Sequence, residues 1–297
     1  MGATRTRGKG GKGRVGRSSG LVLVAYLTAG TVCRIVSEKV ATVPTLEVAA
    51  GGTFARLVGG GGPASGGGLR GEVWGFSRAS RKRMLDLLNQ VEQGALSSGL
   101  FLGLTYPDRF PESPRRWKRD LDTFLKRAKR RYPGSVWVWR LEWKERLSGE
   151  NAGKVAPHFH CLALGIPRLS LRWLSEAWYE TVDSGDLRHL GAGTSAQRIR
   201  SRRGILYYAS KYMSKEAATP AFWTGRVWGI VGRELLPVVL VLVEVTWEQF
   251  YKMRRVFRGW LERKRGKKAW ARARGQGMTA YIGEGESARV LAWAVAG

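Results

Sequence analysis

The chain has 297 residues, 43% of them hydrophobic, and its 51 Lys and Arg against 23 Asp and Glu leave a formal charge of +28. That apolar content excludes a wholly disordered protein, and so large a positive charge exceeds what solubility requires, pointing to a polyanionic partner, nucleic acid first of all. Cys33 and Cys161 form no Cys-x-x-Cys pair, which speaks against a zinc ribbon or a disulfide framework and makes a reducing cytoplasm the simplest setting.

Residues 1–20 alternate Gly with Arg and Lys and read as a partly disordered arm drawn to phosphates without reading sequence. The basic run Arg5 to Arg17 followed by Leu21 to Leu27 imitates a secretion signal, but its apolar stretch is minimal and no convincing cleavage site follows. Through residue 72 come short apolar patches separated by Gly59–Gly62 and Gly66–Gly68. This reads as a Gly-rich extension with room for a strand or two added to the main sheet.

Folded structure is expected from Val73. Ser77 to Ser80 precede Arg81–Val91, where Met84, Leu87, Leu88 and Val91 make one apolar helical face. Leu100–Pro107 reads as a buried strand stopped by proline, and Ser113–Arg131 as a helix with Trp117, Leu121, Phe124, Leu125 and Ala128 inward. Its nine Arg and Lys outnumber its carboxylates, a pattern suited to the DNA backbone.

Val136–Trp143 alternates as a strand, with Trp137, Trp139, Leu141 and Trp143 on one face and Val138, Arg140 and Glu142 on the other. After a loop carrying Gly149 and Gly153 comes Pro157-His158-Phe159-His160-Cys161-Leu162. Residues two apart on a strand share a face, so His158 and His160 project together. A hairpin would bring Glu142 to them, and two imidazoles with one carboxylate leave positions open on a divalent ion; a salt bridge from Glu142 to Arg140 is the alternative. Leu169–Val182 reads as an amphipathic helix. His189, a lone histidine beside Gly191 and Gly193, reads as a surface loop residue.

Gly204–Lys215 lacks proline and internal glycine, and as a helix it sets Tyr208 beside Tyr212 and Lys211 beside Lys215. A phenol with a pKa of about 10 is a poor nucleophile unless a cation stabilises the phenolate, which lysine and a metal-bound phosphate could do jointly. Leu235–Val243 is too short to span a membrane and reads as a buried strand. Thr246–Arg265 reads as a basic helix with Phe250, Met253, Phe257 and Trp260 inward, followed by Lys267, Lys268, Arg272 and Arg274 as a second phosphate-binding arm; the last twenty residues are uninformative.

The order Leu104-Thr105-Tyr106-Pro107, Glu142-Trp143, His158-Phe159-His160, Tyr208-x-x-Lys211-Tyr212-x-x-Lys215 resembles the three motifs of rolling-circle replication initiators. These are the His-hydrophobe-His (HUH) endonucleases, here of the two-tyrosine phage and plasmid type. Arg226-Val227-Trp228-Gly229 is also similar to a stretch of such members, whereas Gly103 stands where they more often carry a β-branched or polar residue. The resemblance implies an α+β fold, a central antiparallel sheet flanked by helices with an RRM-like, palm-like core, the histidines on its middle strand.

It further implies Mg²⁺ or Mn²⁺ on His158, His160 and Glu142, and Tyr208 and Tyr212 as nucleophiles assisted by Lys211 and Lys215. The partners would be single-stranded or hairpin origin DNA, a host helicase and a host polymerase, with no membrane. The expected organisation is an arm and extension over 1–72, a nicking and joining domain over 73–245, and a basic C-terminal helix and tail over 246–297. No Gly-x-x-x-x-Gly-Lys-Ser/Thr occurs, so an intrinsic helicase is not supported. Relaxases order their tyrosine before the histidines, single-tyrosine transposases lack the pair, and a nonenzymatic DNA-binding protein has no need of this cluster.

Overall fold

A computed structural model of the chain describes residues 22–25, 43–50, 53–59, 75–97, 99–199, 225–265 and 277–296. The fold is α+β, with two five-stranded antiparallel sheets and seven α-helices among those residues. The first sheet has the order β7-β4-β6-β5-β8, built from β4 (Leu100–Thr105), β5 (Val136–Glu145), β6 (Val155–Leu164), β7 (Thr194–Arg198) and β8 (Trp228–Val231). The histidine strand β6 is central in this sheet. Residues 146–154 turn β5 back onto β6 as a hairpin.

One face of this sheet is apolar along its length and is covered by α3 (Pro114–Arg131) and α4 (Leu171–Thr181). Trp137 and Leu141 from β5, Phe159 and Cys161 from β6 and Leu102 and Leu104 from β4 meet Trp117, Phe124 and Trp178 there, all essentially solvent-free. The alternation of β5 and the apolar stripe of α3 suffice to dictate this layer. Leu171, the first residue of α4 after its Ser170 cap, is exposed, while Leu174, Ala177 and Trp178 are buried.

The opposite face divides in two. At one end Val136, Val138, Leu162 and Leu164 are buried under Met84, Leu87 and Leu88 of α1 (Arg78–Gln90), whose N-terminus is capped by Ser77 Oγ accepting from the Ser80 amide at 3.2 Å. At the other end the sheet carries polar side chains, described below. A short helix α2 (Gln93–Ser97) that the sequence pattern did not show links α1 to β4.

The described strands before residue 73 do not join this sheet. β2 (Thr45–Ala50) and β3 (Phe54–Val58) form a second sheet with β1 (Val22–Ala25), β9 (Val239–Glu244) and β10 (Gly277–Tyr281), in the order β1-β9-β2-β3-β10. Helix α6 (Trp247–Arg265) and helix α7 (Glu284–Ala296) cover it, Phe250, Met253 and Phe257 closing over Val241, Val243 and Leu57. The limit expected at residue 245 therefore runs between two elements of one layer. The strand expected over Leu235–Val243 serves this second sheet, and the last twenty residues supply a strand end and a helix to it.

Helix α1 joins the layers. Thr53 donates from its amide to the Asn89 carbonyl at 2.9 Å and from its hydroxyl to Asn89 Oδ1 at 2.8 Å. Tyr281 donates to Asp86 Oδ1 at 2.7 Å, and Lys82 meets Asp86 Oδ2 at 2.6 Å. No helix among the described residues is long and apolar enough to cross a membrane.

Candidate functional site

The polar end of the first sheet is set by register. Glu142 lies directly opposite His158, and Arg140 opposite His160, so alternation aims all four side chains at one face. On the other side of β6, Gly103 faces His160 and Thr105 faces His158.

The two imidazoles meet edge to face with ring centroids 4.3 Å apart. His160 Nε2 donates to Glu142 Oε2 at 3.1 Å, and Arg140 Nη1 forms an ion pair with Glu142 Oε1 at 2.7 Å, so each carboxylate oxygen has its own cation-capable neighbour. Glu142 thus contacts His160 and makes the Arg140 salt bridge together. The Arg140 side chain is only 5% exposed and its guanidinium lies 4.4 Å over the Phe76 ring, while His160 stacks on Phe101 at 5.4 Å.

Electrostatics sort these groups into fixed charge states. Burial pushes the Glu142 carboxyl up, but the His160 hydrogen bond and the Arg140 charge outweigh it and hold the group below its usual range. Burial, then His160, lowers His158 to about 4, with Lys144 acting the same way and Glu142 opposing. At neutral pH the centre therefore holds an ionised carboxylate beside a neutral imidazole, the forms in which both types bind metal.

A glycine at 103 is explained by this crowding. A Cβ there would come 2.7 Å from Ser195 Oγ and 3.9 Å from His158 Cε1. A β-branched residue would press on the histidine, so glycine here keeps space beside the cluster.

The first motif supports this centre from its edge. The Thr105 carbonyl accepts from Trp178 Nε1 at 2.6 Å and from His189 Nε2 at 2.7 Å, and the Thr105 amide and hydroxyl donate to the Gly193 carbonyl at 2.8 and 3.0 Å. Because a carbonyl only accepts, His189 Nε2 must carry the proton. His189 is therefore not the surface residue expected: it lies on α5 (Leu187–Ala192), 7% exposed, and buttresses β4. Tyr106 is no rival nucleophile. Its hydroxyl donates to buried Asp120 at 2.9 Å, and burial with that carboxylate pushes the phenol far above its ordinary value.

Of the residues singled out in the sequence, His158, His160 and Glu142 are brought together. Tyr208, Tyr212, Lys211 and Lys215 lie outside the described residues. Arg140, Phe101, Gly103 and Thr105 were not singled out as site residues. For Arg140 the signal was present, since it sits two positions before Glu142 on an alternating strand; for the β4 residues it required knowing which strand pairs with β6.

Among the described residues no group of three or more His, Cys, Asp and Glu side chains is already arranged around a common centre. Two donors of the cluster nevertheless have the spacing of neighbouring ligands on a divalent ion. Cis ligands about 2.1 Å from an octahedral cation stand about 3.0 Å apart, close to the 3.1 Å that separates His160 Nε2 from Glu142 Oε2. An ion would replace the proton these two atoms share.

The His-x-His pair and the carboxylate thus stand together on the face of the antiparallel sheet opposite α3 and α4. A family model described as Replication-associated protein ORF2/G2P matches residues 99–217, a span from β4 through the cluster and the Tyr208–Lys215 stretch. That match supports a role in initiating replication. No curated protein and no solved structure matches the chain.

Proposed function

We propose that this protein is a rolling-circle initiator of the HUH, two-tyrosine type, which nicks and rejoins single-stranded DNA at a replicon origin. The observation that carries this reading is the convergence of Glu142, His158 and His160 within a span that the replication family model matches. Mg²⁺ or Mn²⁺ held there would polarise the scissile phosphate and offset its charge.

The chain's own groups then divide the work. Arg140 keeps Glu142 ionised and oriented, and His158 stays neutral, available as a ligand. Tyr208 or Tyr212 gives up its phenol proton, and its oxygen bonds to phosphorus as the bond to the 3′ oxygen breaks. The proton ends on the freed 3′-hydroxyl, and a 5′-phosphotyrosine remains. Lys211 and Lys215 stabilise the phenolate. The bond energy is retained, so the second tyrosine can attack later and release a closed circle.

Incubation with Mn²⁺ and single-stranded oligonucleotides tiled over the replicon's sequence should give a protein–DNA adduct stable to denaturant. Persistence of the adduct in Tyr208→Phe, Tyr212→Phe removes the nucleophile assignment. Cleavage at the wild-type rate by His158→Ala, His160→Ala removes the metal assignment.

A further inference from the structure

Helix α6 carries a feature that nicking does not use. Trp247 and Tyr251 are 46% and 51% exposed, a full aromatic pair on the outside of a helix whose inner face is already satisfied by Phe250, Met253 and Phe257. Spaced four apart, they lie one above the other on the helix surface, with Arg255 a turn further on. Their rings are stacked, centroids 6.0 Å apart and planes 29° from parallel.

The pair is braced from below. Phe250, 6% exposed, meets Trp247 edge to face at 5.5 Å and Tyr251 at 5.5 Å, so a core residue fixes both rings. Arg255 Nε donates to the Tyr251 carbonyl at 3.5 Å, laying its side chain along the same stripe. Lys252, Arg255, Arg258 and Arg263 are exposed on this helix, with Glu248 paired to Lys252 and Glu262 to Arg258.

We infer that this face of α6 is a stacking platform for single-stranded DNA, separate from the nicking centre. Flat, pre-ordered rings offer a surface to any unpaired base, and the surrounding cations follow the phosphates; duplex DNA hides its base faces from such a surface. A second copy of the chain is a poor occupant, because it would set arginine against arginine. The inference rests on the replication reading for the choice of DNA over RNA, and on α6 alone for the stacking.

The test uses the full chain and an oligo(dT) of about 12 nucleotides, within the span one such surface covers, followed by fluorescence anisotropy. Trp247→Ala, Tyr251→Ala should weaken binding about tenfold or more, since each stacked base contributes roughly 1–3 kcal/mol. Trp247→Phe, Tyr251→Phe should restore it to within about threefold, which separates lost stacking from lost folding. Lys252→Gln, Arg255→Gln should lower the slope of log K against log salt by about 1.4, at roughly 0.7 per phosphate released, whereas the aromatic variant should leave that slope unchanged. Photocrosslinking to 5-iodouracil DNA should mark Trp247 or Tyr251.

Unchanged affinity in the alanine variant, or crosslinks confined to other segments, overturns the platform. So does wild-type DNA affinity in that variant combined with lost binding to phosphatidylserine vesicles, which would assign the face to a membrane. The two readings separate cleanly. Tyr208→Phe, Tyr212→Phe should abolish the covalent adduct and keep oligo(dT) binding; a wild-type chain that forms no adduct yet depends on Trp247 and Tyr251 for binding loses the nicking reading and keeps the platform.

Discussion

At the scale of single residues, the centre depends on side chains that would touch no substrate. Arg140 is the clearest case: buried, seated on Phe76 and fixing the second oxygen of Glu142. Outer-shell partners of this kind are worth about 10- to 100-fold in metal affinity. Arg140→Gln is expected to weaken Mn²⁺ binding by about tenfold, read by calorimetry, and unchanged affinity would show that the guanidinium serves only the fold. Gly103 makes a steric counterpart. Gly103→Ala requires only that Ser195 turn its hydroxyl away, whereas Gly103→Val should cost about 1–3 kcal/mol in urea unfolding and weaken Mn²⁺ binding, because its methyls reach toward His158.

His189 gives a pH dependence with a defined sign. Burial lowers its pKa, against the hydrogen bond to Thr105 and the charge of Asp186, with Arg146 assisting the shift. The unfolded chain therefore takes up this proton at a higher pH than the folded one. The contribution to stability is present above the ordinary histidine value of about 6.5 and is lost as pH falls below it. Urea midpoints should drop between pH 7.5 and 5.5. The drop should shrink in His189→Gln yet persist in part, since His158, lowered to about 4, titrates with the same sign; an identical drop in the variant would exclude His189 as a source.

At the scale of elements, α1 is the hinge pin between the two sheets. Asn89 spends both ends of its amide, accepting from Thr53 and donating to the Leu85 carbonyl at 2.8 Å. Asn89→Ala leaves the Thr53 hydroxyl without its partner in a buried place, at a cost of about 1–3 kcal/mol. Hydrogen exchange should then quicken in β2 and β3 before it does in β5 and β6; uniform quickening would mean that the layers open as one.

The elements also show what was legible in advance. α3, β5, β6 and their faces followed from periodicity alone, and with them the meeting of Glu142 and His158, because a hairpin's partner is its neighbour in sequence. The sheet that the extension's strands β2 and β3 would join, and β10 altogether, were not legible for the opposite reason. Their side chains alternate no more clearly than a linker's patches, and each partner lies far along the chain, so nothing local states the pairing. The burial of His189 was hidden likewise: it is decided by Thr105, which no helix period around residue 189 contains.

At the scale of the whole molecule, the second sheet has a temporal consequence. The first sheet draws its strands from residues 100–231, with β5 and β6 at its centre joined as a hairpin. The second cannot close until β10 reaches β3, where Thr279 pairs with Arg56. Contacts so distant in sequence form late, because the loop-closure entropy precedes any gain from pairing. The chain should thus assemble its histidine cluster before its outer layer exists, and pulse-labelled hydrogen exchange during refolding should protect β5 and β6 ahead of β3 and β10. Simultaneous protection would contradict that order. The cation-rich face of α6 belongs to this later layer, so a newly made molecule gathers Glu142, His158 and His160 before that face is in place.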